Sequence, residues 1–252
     1  MKFPIALQPY TIREELKQDF LGSFTKVAEI GYQAVEAGPP PAGVTIDEMK
    51  AHFDELGLQV MGCHAGLDQL TDENERKALV DFLELFGARY VALSYRFESR
   101  EAVLEAAKRF NAVGGALRER GIQFLYHNHD WEFNEFDGES ALDILLQATD
   151  PELVKLELDV YWAQKGGVDP AAYIRKLKGR CPVLHVKDME PGDERFFAEV
   201  GEGVLDFAAI LAAAEDIGTE WLVVEQDACR RSPFESIAIS YNNLSRMGVA
   251  AQ

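Results

Sequence analysis

Phe124-Leu-Tyr-His-Asn-His-Asp-Trp-Glu-Phe133 starts as an apolar run and then presents, within six residues, two histidines and two acids. Hydrophobic residues that lead straight into ionisable groups are the pattern of a core strand whose C-terminal end opens into an active site. Of the five histidines, His64, His127, His129 and His185 all fall at or just past the ends of short apolar runs. Only His52 lies in an ordinary helical stretch.

Outward from this stretch the same unit recurs in both directions. Apolar runs centred near residues 5, 34, 60, 91, 125, 156, 184 and 223 read as strands. Between them lie stretches with helical spacing of apolar residues, such as Leu16, Phe20, Phe24 and Val27, or Leu79, Phe82, Leu83 and Phe86. The spacing predicts helices over 13–30, 46–55, 71–86, 100–120 and 234–247, with shorter ones around Leu142, Tyr173 and Phe207. Thr45, Asp169 and Asp206 are suited to cap helices, and Pro170 suits a first helical turn. Gly31, Gly57, Gly87, Gly121 and Gly218 stand just before strands, where a helix ends through a left-handed residue and the chain turns back. Eight such units in 252 residues, with no linker or shift in composition, predict an α/β chain forming a single (β/α)8 TIM barrel over residues 1–252. No GxGxxG follows the first strand, which speaks against a dinucleotide site.

Composition narrows the function classes. The 47% hydrophobic and 27% charged content is that of a globular protein. Acids outnumber Lys and Arg by 43 to 25, and the net charge of −18 with no basic run disfavours nucleic acid as a partner. Cys63, Cys181 and Cys229 lack zinc-knuckle or CxxC spacing and read as small buried hydrophobes. The chain begins almost at once with a strand and carries no long apolar run, so a cytoplasmic protein without a membrane partner is expected.

A barrel of this kind places its reactive groups at the C-terminal ends of its strands. Gln8, Glu36, His64, Tyr95, Arg96, His127, His129, Glu132, Glu157, Asp159, Trp162, His185, Lys187, Glu225 and Asp227 all fall there. Period-two alternation puts His127 with His129, Glu157 with Asp159, His185 with Lys187, and Glu225 with Asp227 on common sides. His127, Asp159, His185 and Glu225, one from each of strands five to eight, form the smallest set able to hold a divalent ion. Without a cation, two carboxylates in one barrel mouth repel each other. Taken singly, each histidine is equally explained as a hydrogen-bonded rim residue.

The strings Tyr126-His-Asn-His-Asp-Trp-Glu-Phe133, Glu157-Leu-Asp159-Val-Tyr-Trp162, His185-Val-Lys-Asp188, Gly201-Glu-Gly203 with Asp206-Phe207, and Val224-Glu-Gln-Asp227 resemble the sugar phosphate isomerase/epimerase family with the xylose isomerase-like TIM barrel. The likeness covers nearly the whole chain, including His64-Ala-Gly-Leu-Asp68. It implies a small-molecule carbohydrate substrate and a divalent ion, Mn²⁺ foremost, with Co²⁺, Zn²⁺ or Mg²⁺ as alternatives. In the ketose epimerases of that family a Glu, Asp, His and Glu from strands five to eight hold the ion. Carried over, these become Asp159, His185 and Glu225, with His127 where the first glutamate stands.

That departure bears on mechanism, because the strand-five and strand-eight glutamates of those epimerases exchange a proton on opposite faces of the substrate. With His127 in place, the resemblance implies either Glu132 or His129 as a substitute base, or one-sided chemistry such as isomerisation or loss of water. The reading is a metal-dependent isomerase or epimerase working through an enediolate. The alternatives are a lyase or dehydratase on a keto-sugar, keto-glycoside or inosose, and a non-catalytic carbohydrate-binding barrel. Glu225, Glu132, His129 and Lys187 are its catalytic candidates. His64, Trp162, Glu36 and Arg96 are its substrate-binding candidates. An ion pair of Lys187 with Asp188 or Glu157 is the structural alternative for that lysine, and a homodimer is the expected assembly if the aromatic rim loops pair.

Overall fold

The computed structural model describes residues 3–249. Eight strands, β1 (Ile5–Leu7), β2 (Ala34–Glu36), β3 (Gln59–His64), β4 (Tyr90–Leu93), β5 (Gln123–His127), β6 (Val154–Asp159), β7 (Val183–Val186) and β8 (Trp221–Val224), close a barrel in that order. Every neighbouring pair is parallel, and β1 completes the ring by pairing with both β2 and β8. A (β/α)8 barrel is the architecture that the recurring units predict.

Parallel pairing needs a crossover between strands, and the amphipathic helices supply it on the outer face. Their stripes are buried as the spacing requires: Phe24 and Val27, Leu79, Phe82 and Leu83, then Val103, Ala107, Phe110 and Leu117. The barrel interior is a second, smaller core of Ala6, Ala34, Met61, Tyr90, Ala92, Leu125, Val183 and Val223. Apolar side chains thus plug the barrel below, and polar ones collect above at the C-terminal mouth. Thr45 and Glu48 form a reciprocal capping box, and Asp169 and Asp206 cap their helices. The five glycines that precede strands all have positive φ, between 65° and 119°.

Several boundaries differ from the sequence expectation, each for a local reason. The helix predicted over 13–30 breaks at Asp19, whose extended backbone (φ −151°) and side chain, accepting from the Gly22 N–H, start a new helix. Leu67–Thr71 forms an extra short helix after β3, and Asp72 then caps Glu73–Phe86. Asp159 ends β6 and at once caps the helix Val160–Lys165. The polar excursion after β7 contains a small hairpin, Asp188–Met189 against Phe197–Ala198. Among the described residues, no helix is long and apolar enough to cross a membrane.

Candidate active site

The site begins with the register of β5, β6 and β7, which sets His127 beside Glu157 and Asp159 beside His185. Beyond β5 the decapeptide turns through a 3₁₀ helix, Trp131–Phe133. Glu132 fixes that turn: it accepts from the Tyr126 hydroxyl at 2.5 Å and the His129 N–H at 2.8 Å. Asn128 accepts from the Asp159 N–H, tying the ends of β5 and β6 together. Glu132 is wholly buried, and burial, opposed by those hydrogen bonds, pushes its carboxyl up to about 7. Its contacts are those of a pin for the loop.

One half of the mouth is rich in imidazoles. Oε2 of Glu157 lies 2.8 Å from His64 Nε2, 3.0 Å from His127 Nδ1 and 3.2 Å from His185 Nε2. Glu36 Oε2 lies 3.0 Å from His185 Nε2, 3.2 Å from His64 Nε2 and 2.8 Å from Gln8 Nε2. Glu157 and His185 are both 0% exposed. Burial alone would lower the His64 pKa, but Glu36 and Glu157 carry it up to about 10. Burial and the neighbouring charge on His185 keep His127 neutral, well below its ordinary range. The second carboxylate oxygens of Glu36 and Glu157 are buried without a hydrogen-bond partner.

The other half is organised by one ammonium. Lys187, 1% exposed, places Nζ 3.0 Å from Asp159 Oδ2, 2.7 Å from Glu225 Oε2 and 2.8 Å from Asp227 Oδ2. Its partners are therefore not the Asp188 or Glu157 weighed in the sequence reading. Burial by itself would discharge this lysine; the three carboxylates overcome that and hold it charged. Burial raises Glu225, yet Lys187 and His185 beside it bring it well below the carboxylate range. Asp159 behaves oppositely, since burial outweighs Lys187 and His185 and pushes it up to about 6. His185 joins the two halves, with Nδ1 3.0 Å from Glu225 and Nε2 toward Glu36 and Glu157.

Above both halves lies a cavity of about 270 Å³ lined by Gln8, Tyr10, His64, Ser94, His127, His129, Glu225 and Asp227. It shares His64 and Ser94 with a larger cavity of about 640 Å³ that is also lined by Asp68, Tyr95 and Arg109. His129 stacks on Trp131, with centroids 4.0 Å apart, and faces Trp162 at 5.3 Å. Burial and the Lys187 charge lower His129 to about 4, so it is a neutral wall. Arg96 sits over Trp131 at 5.6 Å and does not line either cavity.

Asp188, next to Lys187, is wholly buried and works outward. It accepts from the backbone N–H groups of Met189, Gly201, Gly203 and Leu205. A Cβ on Gly203 would come within 2.3 Å of the Asp188 carboxylate and the Met189 carbonyl, so only glycine lets the loop close on its anchor. The Gly201-Glu-Gly203 segment, readable as a lid or a turn, is thus pinned at its base.

Among the described residues, two overlapping groups offer convergent donors: His64, His127, Glu157 and His185, and His127, Asp159, His185 and Glu225. Within each group the donor atoms lie within 4.8 Å of one another. Imidazoles, carboxylates and orphaned carboxylate oxygens in one pocket make a donor set that fits a divalent cation. The second group is the set predicted from the strand ends. Gln8 carries no role in the sequence reading and Glu157 only that of an ion-pair partner for Lys187, although alternation places Glu157 on the same side as Asp159. Tyr10 and Ser94 offer no comparable signal.

The profile of the xylose isomerase-like TIM barrel family matches residues 24–240. The chain belongs to that family. An inosose dehydratase from Geobacillus kaustophilus (strain HTA426) is 25% identical, covering 88% of this chain and 85% of its own. An inosose dehydratase from Lacticaseibacillus casei is 26% identical over 62% of this chain, and the match spans 63% of that enzyme's length. A solved sugar phosphate isomerase/epimerase from Parabacteroides distasonis ATCC 8503 superposes with a TM-score of 0.82 at 25% identity, covering 95% of this chain and 92% of that one. This member of the family is a TIM barrel whose mouth carries donor groups that could hold a metal, and it is related to sugar phosphate isomerases/epimerases and inosose dehydratases.

Proposed function

We propose that this chain is a divalent-metal-dependent lyase that removes water from a cyclic keto-sugar or inosose. The supporting observation is the one-sidedness of the carboxylates that reach the cavity. Glu225 and Asp227 line it from the end of β8, whereas Glu157 is sealed beneath three imidazoles and His127 occupies the end of β5. Inversion of a carbon centre through two bases needs a proton acceptor on each face of the sugar. Elimination needs one.

When bound, the divalent ion supplies Lewis-acid polarisation of the substrate carbonyl. Glu225 takes the proton from the carbon beside that carbonyl. The electron pair left behind forms the new carbon–carbon double bond as the β-hydroxyl leaves with its bonding pair. The proton on Glu225 then passes to the departing oxygen, so that water is lost and the carboxylate is restored. Lys187 keeps Glu225 ionised and oriented, at some cost to its basicity. His129 offers its ring face to the substrate, with Trp162 packed behind it, and His64 offers a donor to one of its hydroxyls.

The curated relatives bearing the name inosose dehydratase support this reading over the isomerase reading, in which Glu225 would return the proton to the neighbouring carbon. The test is to incubate the metal-loaded protein with inososes and cyclic keto-sugars in deuterated water. Dehydrated product is expected; deuterium uptake into an isomer or epimer with no loss of water would overturn the proposal. Absence of both would leave the carbohydrate-binding alternative standing.

A further inference from the structure

Tyr10 lies just beyond β1 and, at 50%, is the most exposed aromatic side chain among the described residues. It is nevertheless held on several sides. It belongs to a 3₁₀ turn, Pro9–Ile12, that opens with a proline of fixed φ. Its N–H donates to Gln8 Oε1 at 3.2 Å, and its carbonyl accepts from the Arg13 guanidinium at 2.9 Å. The same guanidinium lies over its ring, 4.2 Å from the centroid. The Gln8 N–H donates to the Val224 carbonyl and the Thr11 hydroxyl accepts from the Gln226 N–H, so the turn is fastened to the end of β8 on either side of Glu225. These contacts fix the ring without burying it. The ring lines the cavity of about 270 Å³ that Glu225 also lines.

His129 lines that cavity from just beyond β5, and β1 and β5 stand four strands apart in both directions around the closed ring. The two side chains are therefore on opposite sides of the mouth. Each is backed by a planar group, Tyr10 by the Arg13 guanidinium and His129 by the Trp131 indole at 4.0 Å. Two flat walls fit a closed ring with carbon–hydrogen faces, and an open chain offers no such face. Resting on the reading of the substrate as a cyclic keto-sugar or inosose, we infer that Tyr10 is a substrate-binding residue that, across from His129, selects ring-form substrates over open-chain ones. Arg13 is its positioning residue: it holds the plane of the Tyr10 ring and does not itself line the cavity.

The test measures, by saturation-transfer NMR titration of the full-length protein, the affinity for two polyols with equal numbers of carbons and hydroxyls: cyclic myo-inositol and open-chain glucitol. Neither carries the carbonyl, so neither is turned over. Wild type should prefer the inositol. Tyr10→Ala should lower its affinity about 3–10-fold, the range of a single ring contact, and leave glucitol unchanged. Tyr10→Phe should keep the wild-type value, because the face and not the hydroxyl makes the contact. Arg13→Ala should weaken inositol binding in the wild-type background and add no further loss to Tyr10→Ala. Equal losses for both polyols, a Tyr10→Phe loss matching that of Tyr10→Ala, or no inositol binding by wild type overturns the inference. A melting curve matched to wild type shows that replacing this half-exposed side chain leaves the fold intact. Dehydration of keto-sugars is assayed separately. Selective loss of inositol binding without any dehydration defeats the elimination reading alone, and dehydration without ring selectivity defeats the role of Tyr10 alone.

Discussion

The two halves of the barrel mouth solve the same electrostatic problem with different cations. On one side Glu36 and Glu157 face three imidazoles; on the other Asp159, Glu225 and Asp227 face one ammonium. An imidazole nitrogen can give up its proton and become a metal ligand, whereas a buried ammonium held by three carboxylates stays a charge. Groups of similar formal charge therefore have different chemistry available to them. The histidine side is exchangeable and the lysine side is fixed.

The largest effect expected from breaking this contrast comes from Lys187→Met. It strands three carboxylates, two of them nearly out of contact with solvent, and should cost about 3–5 kcal/mol in urea unfolding of the metal-free protein. His64→Gln should cost well under that. Equal losses would mean that the halves are not distinct. Next comes Glu225→Gln, which keeps shape but removes the proposed base; kcat should fall about 10²–10⁴-fold, and retained turnover would remove Glu225 from its role.

A smaller effect concerns Glu132, which the sequence places near the proton chemistry and the structure uses to pin the loop. Its folded pKa of about 7 lies above the ordinary carboxylate value of 4.5, so the folded state binds the extra proton. Its contribution to stability is therefore fully present below about 4.5 and is lost as pH rises through about 7. Wild type should show a fall of up to about 3 kcal/mol across that window, and Glu132→Gln should show a flatter profile in pH-dependent urea unfolding. Identical profiles would contradict the assignment. The smallest effect is Gly203→Ala, where the clash with Asp188 should cost about 1–3 kcal/mol and speed proteolysis of the Gly201-Glu-Gly203 loop.

The barrel was legible because its signal repeats: eight apolar runs, each entered from a turn and left through polar residues. The convergence of His127, Asp159, His185 and Glu225 was legible for the same reason, since alternation and strand ends locate side chains without knowledge of packing. What alternation cannot give is depth. Glu157 lies two residues before Asp159 on the same side, and only the closed barrel shows that this step takes it from the lysine half to a seat beneath His64, His127 and His185. Nor does a sequence reveal which acid an ammonium selects. Lys187 reaches across to Glu225 and Asp227, some 40 positions away, while its neighbour Asp188 turns to backbone N–H groups of a loop.

The metal-dependent reading of the barrel mouth is tested most directly by counting ligands on the ion itself. X-ray absorption at the metal edge of the Co²⁺- or Zn²⁺-loaded protein should give two imidazoles in the first coordination sphere, those of His127 and His185, falling to one in His127→Gln. Absence of a bound ion, or a coordination sphere without imidazole, would contradict the account.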